Sequence, residues 1–390
     1  MTDHCHWLAE AAAKHERLPD LHHAFCDHLL AESLPIWRAS LGVEILHPET
    51  SGAQLRWIAS ETSIEVMPRS GNAAMEIYAS SPVRIVDETR QTYRRRLTGP
   101  ISDMPLLEEL RQAGATDYVI IPLAFLDPGR IAHMSFATRQ EGGFSGHDLA
   151  RLHEAARLFS PYAERHVLRR IAINLLDTYL GHRSGERVFS GAIERGAVEN
   201  IRSIICMADL RGFTRFSDEQ PIEIVLATLN EFFGIMVDAI ASQGGEVLKF
   251  MGDALLAIFP EIDHDLAGPS EAAIAAVRKA SKGIAELNRL RAADDTPPSA
   301  FGLALHAGEV AYGNVGGRNR LDFTVTGPAV NHTSRLLELS KKIDRPVLIS
   351  GSFAECCRLP LARLGKYRLR DVARSHDVYV LNETVAPPGK

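Results

Sequence analysis

Hydrophobic residues follow two different periods along the chain, and the period changes several times. Over residues 3–38 the apolar positions recur at helical spacing, so we predict helices there. From Leu41 to Thr138, alternating or continuously apolar runs predict strands, including A-A-M-E-I-Y and P-V-R-I-V, with one helix at L-L-E-E-L-R-Q-A-G. A further helix follows at 146–158. This order predicts an α+β domain over 41–160, preceded by a helical segment over 1–40.

Helical periodicity continues from residue 148 to residue 180. An apolar seam at alternating steps of three and four runs through Leu149, Leu152, Ala156, Phe159 and Ala163. The seam degrades at His166 and Arg170, and Ser160-Pro161 indicates a helix restart. We therefore predict a kinked connector with imperfect coiled-coil character over 161–198, with a helix packed on its own domain as the alternative. The polar, glycine-rich stretch from 181 to 196 predicts a hinge.

Strands and helices mix again from residue 201 to about residue 382, which predicts a second α+β domain over 199–385. The predicted strands are 201–208, a hairpin of 246–250 and 254–259, then 301–306, 321–326 and 346–349. The predicted helices are 220–241, 270–290 and 329–342. A glycine-rich arm, H-A-G-E-V-A-Y-G-N-V-G-G, follows the strand at 301–306, and the tail after Asn382 is predicted to be frayed.

Two of these apolar strands end in an aspartate beside a glycine-containing turn. Asp209 ends I-I-C-M-A-D, and Asp253 follows E-V-L-K-F-M-G. An unpaired buried carboxylate costs several kcal/mol, so two such positions need a compensating partner. Hard divalent cations prefer carboxylate oxygens on a rigid backbone. The pattern therefore predicts a metal-dependent enzyme acting on nucleotides.

Composition narrows the class of protein. The 390 residues are 45% hydrophobic and 24% charged, which is typical of globular domains, and the formal net charge of −6 argues against a nucleic-acid binder. The Arg94-Arg95-Arg96 run is too short to change this and is predicted to be a solvated face. Five scattered cysteines form no C-x-x-C pair. We find no signal sequence and no apolar stretch approaching 18 residues, so we expect a cytoplasmic protein without a membrane span.

The first α+β region resembles a GAF-type sensor domain. The resemblance rests on the element order together with Y-V-I-I-P-L and S-F-A-T-R-Q-E-G-G-F-S. A PAS-type domain is the alternative. The resemblance implies a small-molecule effector and a regulatory role for this region.

Four motifs in the second region carry a more specific resemblance. A-D-L-R-G-F-T, K-F-M-G-D-A-L-L-A-I-F, H-A-G-E-V-A-Y-G-N-V-G and T-G-P-A-V-N-H-T-S-R occur in the order and spacing of a class III nucleotide cyclase catalytic domain. The resemblance implies a ferredoxin-like βααββαβ core. It also implies attack of the ribose 3′-oxygen on the α-phosphate of a nucleoside triphosphate, which gives a 3′,5′-cyclic nucleotide and pyrophosphate.

By this resemblance, Asp209, Asp253 and the backbone carbonyl of Leu210 hold two Mg²⁺ or Mn²⁺ ions. One ion lowers the pKa of the attacking hydroxyl and the other neutralises the triphosphate. The turn that follows offers backbone amides to the phosphates ahead of a helix. Its residues are Gly212, Phe213 and Thr214.

Four further residues are assigned roles by the same resemblance. Asn331 orients the ribose, and Arg335, one helical turn later, stabilises charge on the α-phosphate. Lys249 and Thr324 select the base, since lysine donates to a ring nitrogen of adenine and threonine accepts from its exocyclic amine. Guanine-selective relatives typically carry glutamate and cysteine there, so ATP is favoured over GTP. Threonine at the second position marks a largely bacterial subgroup.

In the family, the aspartates come from one chain and the other four residues come from its partner. All six are present here, which implies a symmetric homodimer with two shared active sites. The competing interpretations are a guanylate cyclase and a catalytically silent cyclase-like domain that binds nucleotide or dimerises. The motif N-H-T-S-R departs from the usual small residues after the asparagine. Lys341, Lys342 and Arg345 are candidates for a further phosphate contact, but we favour a solvated helix end.

Overall fold

The computed structural model describes residues 2–69, 72–127, 129, 132–293, 297–370 and 374–382. The chain divides into two compact units, Met1–Thr178 and Tyr179–Lys390, here called the first and second units. Each mixes helices and strands, which confirms the α+β prediction. The frayed tail predicted after Asn382 and the predicted domain end at 385 lie outside the described residues.

The first unit is built on a six-stranded antiparallel sheet with the order β3-β2-β1-β6-β5-β4. Its strands are β1 Arg38–Glu44, β2 Thr50–Ile58, β3 Glu61–Pro68, β4 Tyr93–Arg96, β5 Asp117–Pro122 and β6 Ala132–Thr138. Its helices are α1 Thr2–Lys14, α2 Leu18–Ala31, α3 Asn72–Ala79, α4 Pro82–Thr89, α5 Pro105–Gln112 and α6 Gly146–Leu180. The assignment to the GAF type stays a prediction.

The predicted N-terminal helical segment is part of the first unit's core. Leu21 and Phe25 of α2 are fully buried in the same cluster as Leu41 of β1 and Phe159 of α6. Side chains alternate across a strand, so neighbouring positions of the sheet face α4 and α5 instead. The sheet is therefore covered by helices on both faces.

Two strands predicted in the first unit are wrong, because A-A-M-E-I-Y and P-V-R-I-V form α3 and α4. Met75 and Ile77 alternate as in a strand, but both are more than two-thirds exposed, so their alternation marks no sheet face. Pro82 stands at the start of α4, where its fixed φ and missing N–H are well tolerated. In α3, the helix preference of Ala, Met and Glu prevailed over the apparent period of two.

The arginine run is a solvated face only in part, because Arg96 is exposed whereas Arg94 pairs with a buried acid. Residues 93–96 form β4, and the guanidinium of Arg94 bonds the carboxylate of Asp117 at 2.5 Å, while Asp117 is fully buried. Asp117 also accepts the backbone N–H of Phe144 at 3.0 Å. The run thus supplies the counter-ion of a buried acid.

Helix α6 runs without interruption through Pro161. Ser160 donates a hydrogen bond to the carbonyl oxygen of Ala124 at 2.9 Å, which ties the helix to the loop after β5. Val167 and Ile171 still lie in the first unit's core. The predicted restart at Pro161 is therefore wrong, and the alternative of a helix packed on its own domain describes α6 as far as Ile171.

The second unit is built on an eight-stranded sheet with the order β13-β14-β12-β10-β7-β9-β8, in which β11 pairs with β10. Its strands are β7 Val198–Leu210, β8 Glu246–Met251, β9 Ala254–Pro260, β10 Phe301–Gly316, β11 Leu321–Thr326, β12 Val347–Ser350, β13 Leu361–Arg368 and β14 Ser375–Leu381. Its helices are α7 His182–Phe189, α8 Phe213–Glu219, α9 Ile222–Ala241, α10 Ala267–Ala293, α11 Pro328–Lys342 and α12 Gly351–Cys356. The glycine-rich arm continues β10 as one long strand.

Alternation along β7 explains the layers of the second unit. Ile204 and Cys206 point to the core formed with α9 and α10, whereas Ile205 and Met207 point to the core formed with α11. Because the second half of β7 is buried on both faces, its sequence is continuously apolar from Ile204 to Ala208. The central strand therefore ends with Asp209 between two packed layers.

Helix α9 is, among the described residues, the one helix long and apolar enough in composition to cross a membrane. Phe232, Met236 and Ile240 of this helix lie in the core of the second unit. The absence of a membrane span stays a prediction.

The predicted hinge at 181–196 contains a packed helix. Ser184 of α7 is fully buried, and its N–H and hydroxyl both donate to Oε1 of Glu246, at 2.9 and 3.0 Å. Tyr312 donates to the other oxygen of Glu246 at 3.2 Å. The start of α7 is thereby fixed to strand β8.

Candidate active site

Strand pairing brings the two predicted metal aspartates together. Asp209 of β7 is in register with Ala254 of β9, and Asp253 is the residue directly before Ala254. The backbone N–H of Leu210 donates to the carbonyl oxygen of Asp253 at 3.2 Å. Gly252 has a φ of +66°, a value that suits glycine, and it lies in the turn between β8 and β9. Asp209, Leu210 and Asp253 therefore lie side by side.

Asp209 is buried and only half paired. Its residue exposure is 3%, Oδ2 accepts from Nζ of Lys341 at 2.6 Å, and Oδ1 is buried without a hydrogen-bond partner among the described residues. Burial raises the pKa of Asp209, and the nearby charge of Asp253 adds to this, whereas Lys341 and Arg211 lower it. A buried carboxylate oxygen without a donor is what a divalent cation would satisfy, so these residues fit a Mg²⁺ or Mn²⁺ site.

The turn after Asp209 leads into α8. Gly212 has a φ of +69° and is the N-cap of α8, with no side chain bonded to the first amides. The backbone N–H of Arg211 is already used by the carbonyl oxygen of Ala300 at 2.8 Å. The amides of Phe213 and Thr214 stand at the start of the helix, where backbone N–H groups lack an intrahelical partner.

Arg211 and Lys341 connect this turn to the end of α11, and no motif or spacing in the sequence predicts either contact. The Arg211 guanidinium lies against Gly302 and donates to Oγ of Ser340 at 2.7 Å and to the carbonyl oxygen of Arg345 at 3.2 Å. A side chain on residue 302 would overlap this guanidinium. The predicted solvated end of α11 is therefore wrong for Lys341, which bonds Asp209.

Lys249 and Thr324 belong to β8 and β11, which lie close together. Nζ of Lys249 bonds Oδ2 of Asp322 at 2.7 Å. Asp322 precedes Thr324 by two positions and so faces the same side of β11. Thr324 is 5% exposed, and its Oγ1 is buried without a partner among the described residues. Asp322, which fixes the lysine, was missed from the sequence.

Asn331 and Arg335 lie on α11, as predicted. Asn331 is exposed, and Nη1 of Arg335 bonds Oε1 of Glu338 at 2.8 Å. At about 1.5 Å per residue, Arg335 lies about 9 Å and Asn331 about 15 Å along the helix from Lys341. One chain thus holds Asp209 at the C-terminal end of α11 and presents Asn331 near the other end.

Comparison with known proteins identifies the type of domain. Residues 198–382 match the family described as the adenylate and guanylate cyclase catalytic domain. An adenylate cyclase of Anabaena cylindrica is 36% identical over 161 residues, which cover 41% of this chain and 32% of that protein. An uncharacterized protein of Mycobacterium tuberculosis is 37% identical over 152 residues, covering 39% of this chain and 27% of that protein.

Two solved structures are similar to about half of the chain. The adenylyl cyclase CyaB from P. aeruginosa is 24% identical with a TM-score of 0.44, and the match covers 50% of this chain and 100% of that one. The guanylyl cyclase Cya2 is 26% identical with a TM-score of 0.42, covering 47% of this chain and 92% of that one. The chain spans less than half the length of the curated relatives it matches.

Proposed function

We propose, from the premise that residues 198–382 form a class III adenylate and guanylate cyclase catalytic domain, that the chain converts ATP into 3′,5′-cyclic AMP and pyrophosphate. The observation that carries the proposal is the placement of the buried Asp209 beside the half-buried Asp253, with one carboxylate oxygen of Asp209 left without a partner among the described residues. The adenylate cyclase of Anabaena cylindrica supports the choice of ATP.

Asp209, Asp253 and the carbonyl of Leu210 would hold two Mg²⁺ or Mn²⁺ ions. When bound, these ions lower the pKa of the ribose 3′-hydroxyl and neutralise the triphosphate. The chain's own contribution at this end of the site is rigidity. Asp209 lies between two packed layers, and the N–H of Leu210 is fixed by the carbonyl of Asp253, so the carboxylates need little reorganisation to bind a cation.

Four residues would position the nucleotide. Arg335 offers a planar, permanently charged guanidinium to the α-phosphate, and Asn331 hydrogen-bonds the ribose. Lys249, held by Asp322, donates to a ring nitrogen of adenine. The buried Oγ1 of Thr324 accepts from the exocyclic amine, and this bond would satisfy a hydroxyl that lacks a protein partner. The amides of Gly212, Phe213 and Thr214 would face the phosphates.

We place each active site between two copies of the chain. Asn331 stands about 15 Å along α11 from the lysine that contacts Asp209, and this separation favours its use at the aspartates of a second copy. Exposed apolar residues support a self-association surface, because Phe250 and Met251 follow Lys249 directly and are 52% and 41% exposed. The homodimer would carry two equivalent sites.

The test is nucleotide selectivity. Purified full-length chain is incubated with Mn²⁺ and either ATP or GTP, and the cyclic product is identified by mass. We expect cyclic AMP from ATP at a kcat/KM at least about tenfold above that for GTP, because GTP would lose the base contacts of both Lys249 and Thr324 and each lost polar contact costs about 1 kcal/mol or more. Preference for GTP would establish a guanylate cyclase instead. No product from either nucleotide would establish a silent domain.

The first unit is proposed as a regulatory domain that binds a small-molecule effector in a cytoplasmic protein. It would act through α6 by changing how two catalytic domains meet. The test is a deletion of the first unit, so that the truncated chain begins at Tyr179. A longer deletion, of residues 1–195, would also remove α7 and its contact with Glu246. Equal turnover and equal dimerisation of the full chain and the chain starting at Tyr179 would exclude regulation.

A further inference from the structure

Lys341 places a positive charge beside Asp209, at the site proposed above for a metal ion. Its ammonium lies 2.6 Å from Oδ2 of Asp209, and the lysine side chain is 52% exposed while that of the aspartate is 5% exposed. Asp253 lies at the same turn, so two carboxyl groups share this region. The partner of the ammonium is thus a carboxylate assigned above to the metal.

A buried carboxylate beside a second one is unstable without a cation, since desolvation and like-charge repulsion both disfavour its ionised form. The single ammonium of Lys341 reaches only one oxygen and leaves Oδ1 of Asp209 without a partner. The pairing is therefore incomplete. A divalent ion can contact the carboxylates of both Asp209 and Asp253, so it would neutralise them more completely than the single ammonium does.

The lysine can leave without disturbing the packing of α11 once another cation takes its place at Asp209. It lies in the last turn of α11, its stem is half exposed, and its ammonium would be hydrated in solvent once released. Arg211 holds the same turn of α11 through Ser340 and Arg345, so departure of the lysine side chain does not require the helix to move. The contact between Lys341 and Asp209 is therefore separable from the packing of α11.

We infer that Lys341 is an internal counter-ion that occupies Asp209 in the metal-free enzyme and is displaced by the divalent ion. The inference rests on the proposed function, because it takes Asp209 as a metal ligand. Lys341 is on this account a positioning residue: it holds the carboxylate in place, and it sets how tightly the metal binds by competing for the same oxygen. The competition is reciprocal, so weakening the lysine contact must strengthen metal binding.

The test compares Mn²⁺ binding by full-length variants without nucleotide, measured from the electron paramagnetic resonance signal of free Mn²⁺. Lys341→Gln removes the competing charge, and we expect its Kd for Mn²⁺ to fall about three- to tenfold relative to the wild type. Lys342→Gln is the matched control, because it changes the net charge equally at an exposed neighbouring position. Lys341→Arg keeps a cation near the aspartate and should bind Mn²⁺ much like the wild type.

The outcomes separate the inference from the proposed function. If Lys341→Gln and Lys342→Gln have the same Kd, or if Lys341→Gln binds Mn²⁺ more weakly than the wild type, the counter-ion role is wrong. Asp209→Asn should lose Mn²⁺ binding, and if it does not, Asp209 is not a metal ligand and the proposed site fails first. A second readout is the melting temperature in chelator, which should fall for Lys341→Gln and stay unchanged for Lys342→Gln, because only Lys341 pairs with a buried acid.

Discussion

At the scale of single residues, we expect the hydroxyl of Thr324 to favour nucleotide binding at a cost to the stability of the fold. Its Oγ1 is buried without a partner among the described residues, and an unsatisfied buried hydroxyl costs about 1–3 kcal/mol. A threonine that served only the fold would be expected to bond its own strand or a neighbour. The orphaned acceptor is therefore better explained by a ligand than by packing.

We expect Thr324→Val to make the protein more stable and less active. The melting temperature should rise because the unpaired hydroxyl is removed, while kcat/KM for ATP should fall up to about tenfold because the adenine amine loses its acceptor. Thr333→Val is the control, since the buried hydroxyl of Thr333 donates to the carbonyl oxygen of Ala329 at 2.8 Å and its loss should bring no gain. A fall in stability for Thr324→Val would contradict this account.

At the scale of elements, α11 packs against β10 and β14 through three histidines. The ring centroids of His306 and His332 are 4.2 Å apart, and those of His332 and His376 are 4.8 Å apart. Burial, with a smaller effect of the neighbouring histidines, lowers the pKa of His306 to about 3 and that of His332 to about 4. Glu309 lies with His306 and His332 around a cavity of about 530 Å³ at the start of α11.

These pKa values predict that the free energy of unfolding decreases as the pH falls. Both folded-state values lie below the value of about 6.5 for an unfolded chain, so the unfolded state takes up protons first as the pH falls. The contribution of the two uncharged histidines to stability is full above about pH 6.5 and is lost progressively towards about pH 4. His332→Gln should therefore lose less stability than the wild type between about pH 7.5 and about pH 5, as measured by urea unfolding. Parallel losses in the two proteins would refute the effect.

The contact between α7 and β8 makes a second element-scale prediction. Ser184→Ala removes one of the hydroxyl donors to the buried Glu246 and should lower the free energy of unfolding by about 1–2 kcal/mol. Ser190→Ala is the control, because the exposed hydroxyl of Ser190 bonds only a carbonyl oxygen at the end of the same helix. Equal unfolding free energies for the two variants would show that α7 is not held by this contact.

The sequence predicts some of these elements well and others poorly, for physical reasons. Strand β7 and the β8–β9 hairpin were predicted from apolar runs and a glycine turn, because both are buried and local. Helices α3 and α4 were mistaken for strands, since runs of eight residues hold too few turns to distinguish the two periods. The contacts of Asp209 with Lys341 and of Lys249 with Asp322 depend on how distant elements pack. Spacing along the chain carries no signal for them.

At the scale of the whole molecule, a shared active site has a consequence that no single variant reveals. Asp209→Asn damages the site in which a copy supplies the metal aspartates, and Arg335→Ala damages the site in which it supplies the guanidinium. Each homodimer then has two defective sites. A mixed dimer places both substitutions in one site and leaves the other with intact Asp209 and intact Arg335.

We therefore expect each variant alone to lose about 100-fold or more in kcat, and an equimolar mixture to recover about a quarter of the wild-type rate. The quarter follows because about half of randomly assorted dimers are mixed and each has one working site of two. The measurement is cyclic AMP formation after the variants are co-expressed or exchanged, with Asp209→Asn mixed with Asp253→Asn as the control that cannot complement. If the mixture of Asp209→Asn and Arg335→Ala stays as inactive as its components, each copy uses its own aspartates and its own arginine. The distance along α11 between Lys341 and Arg335 must then be spanned within one chain.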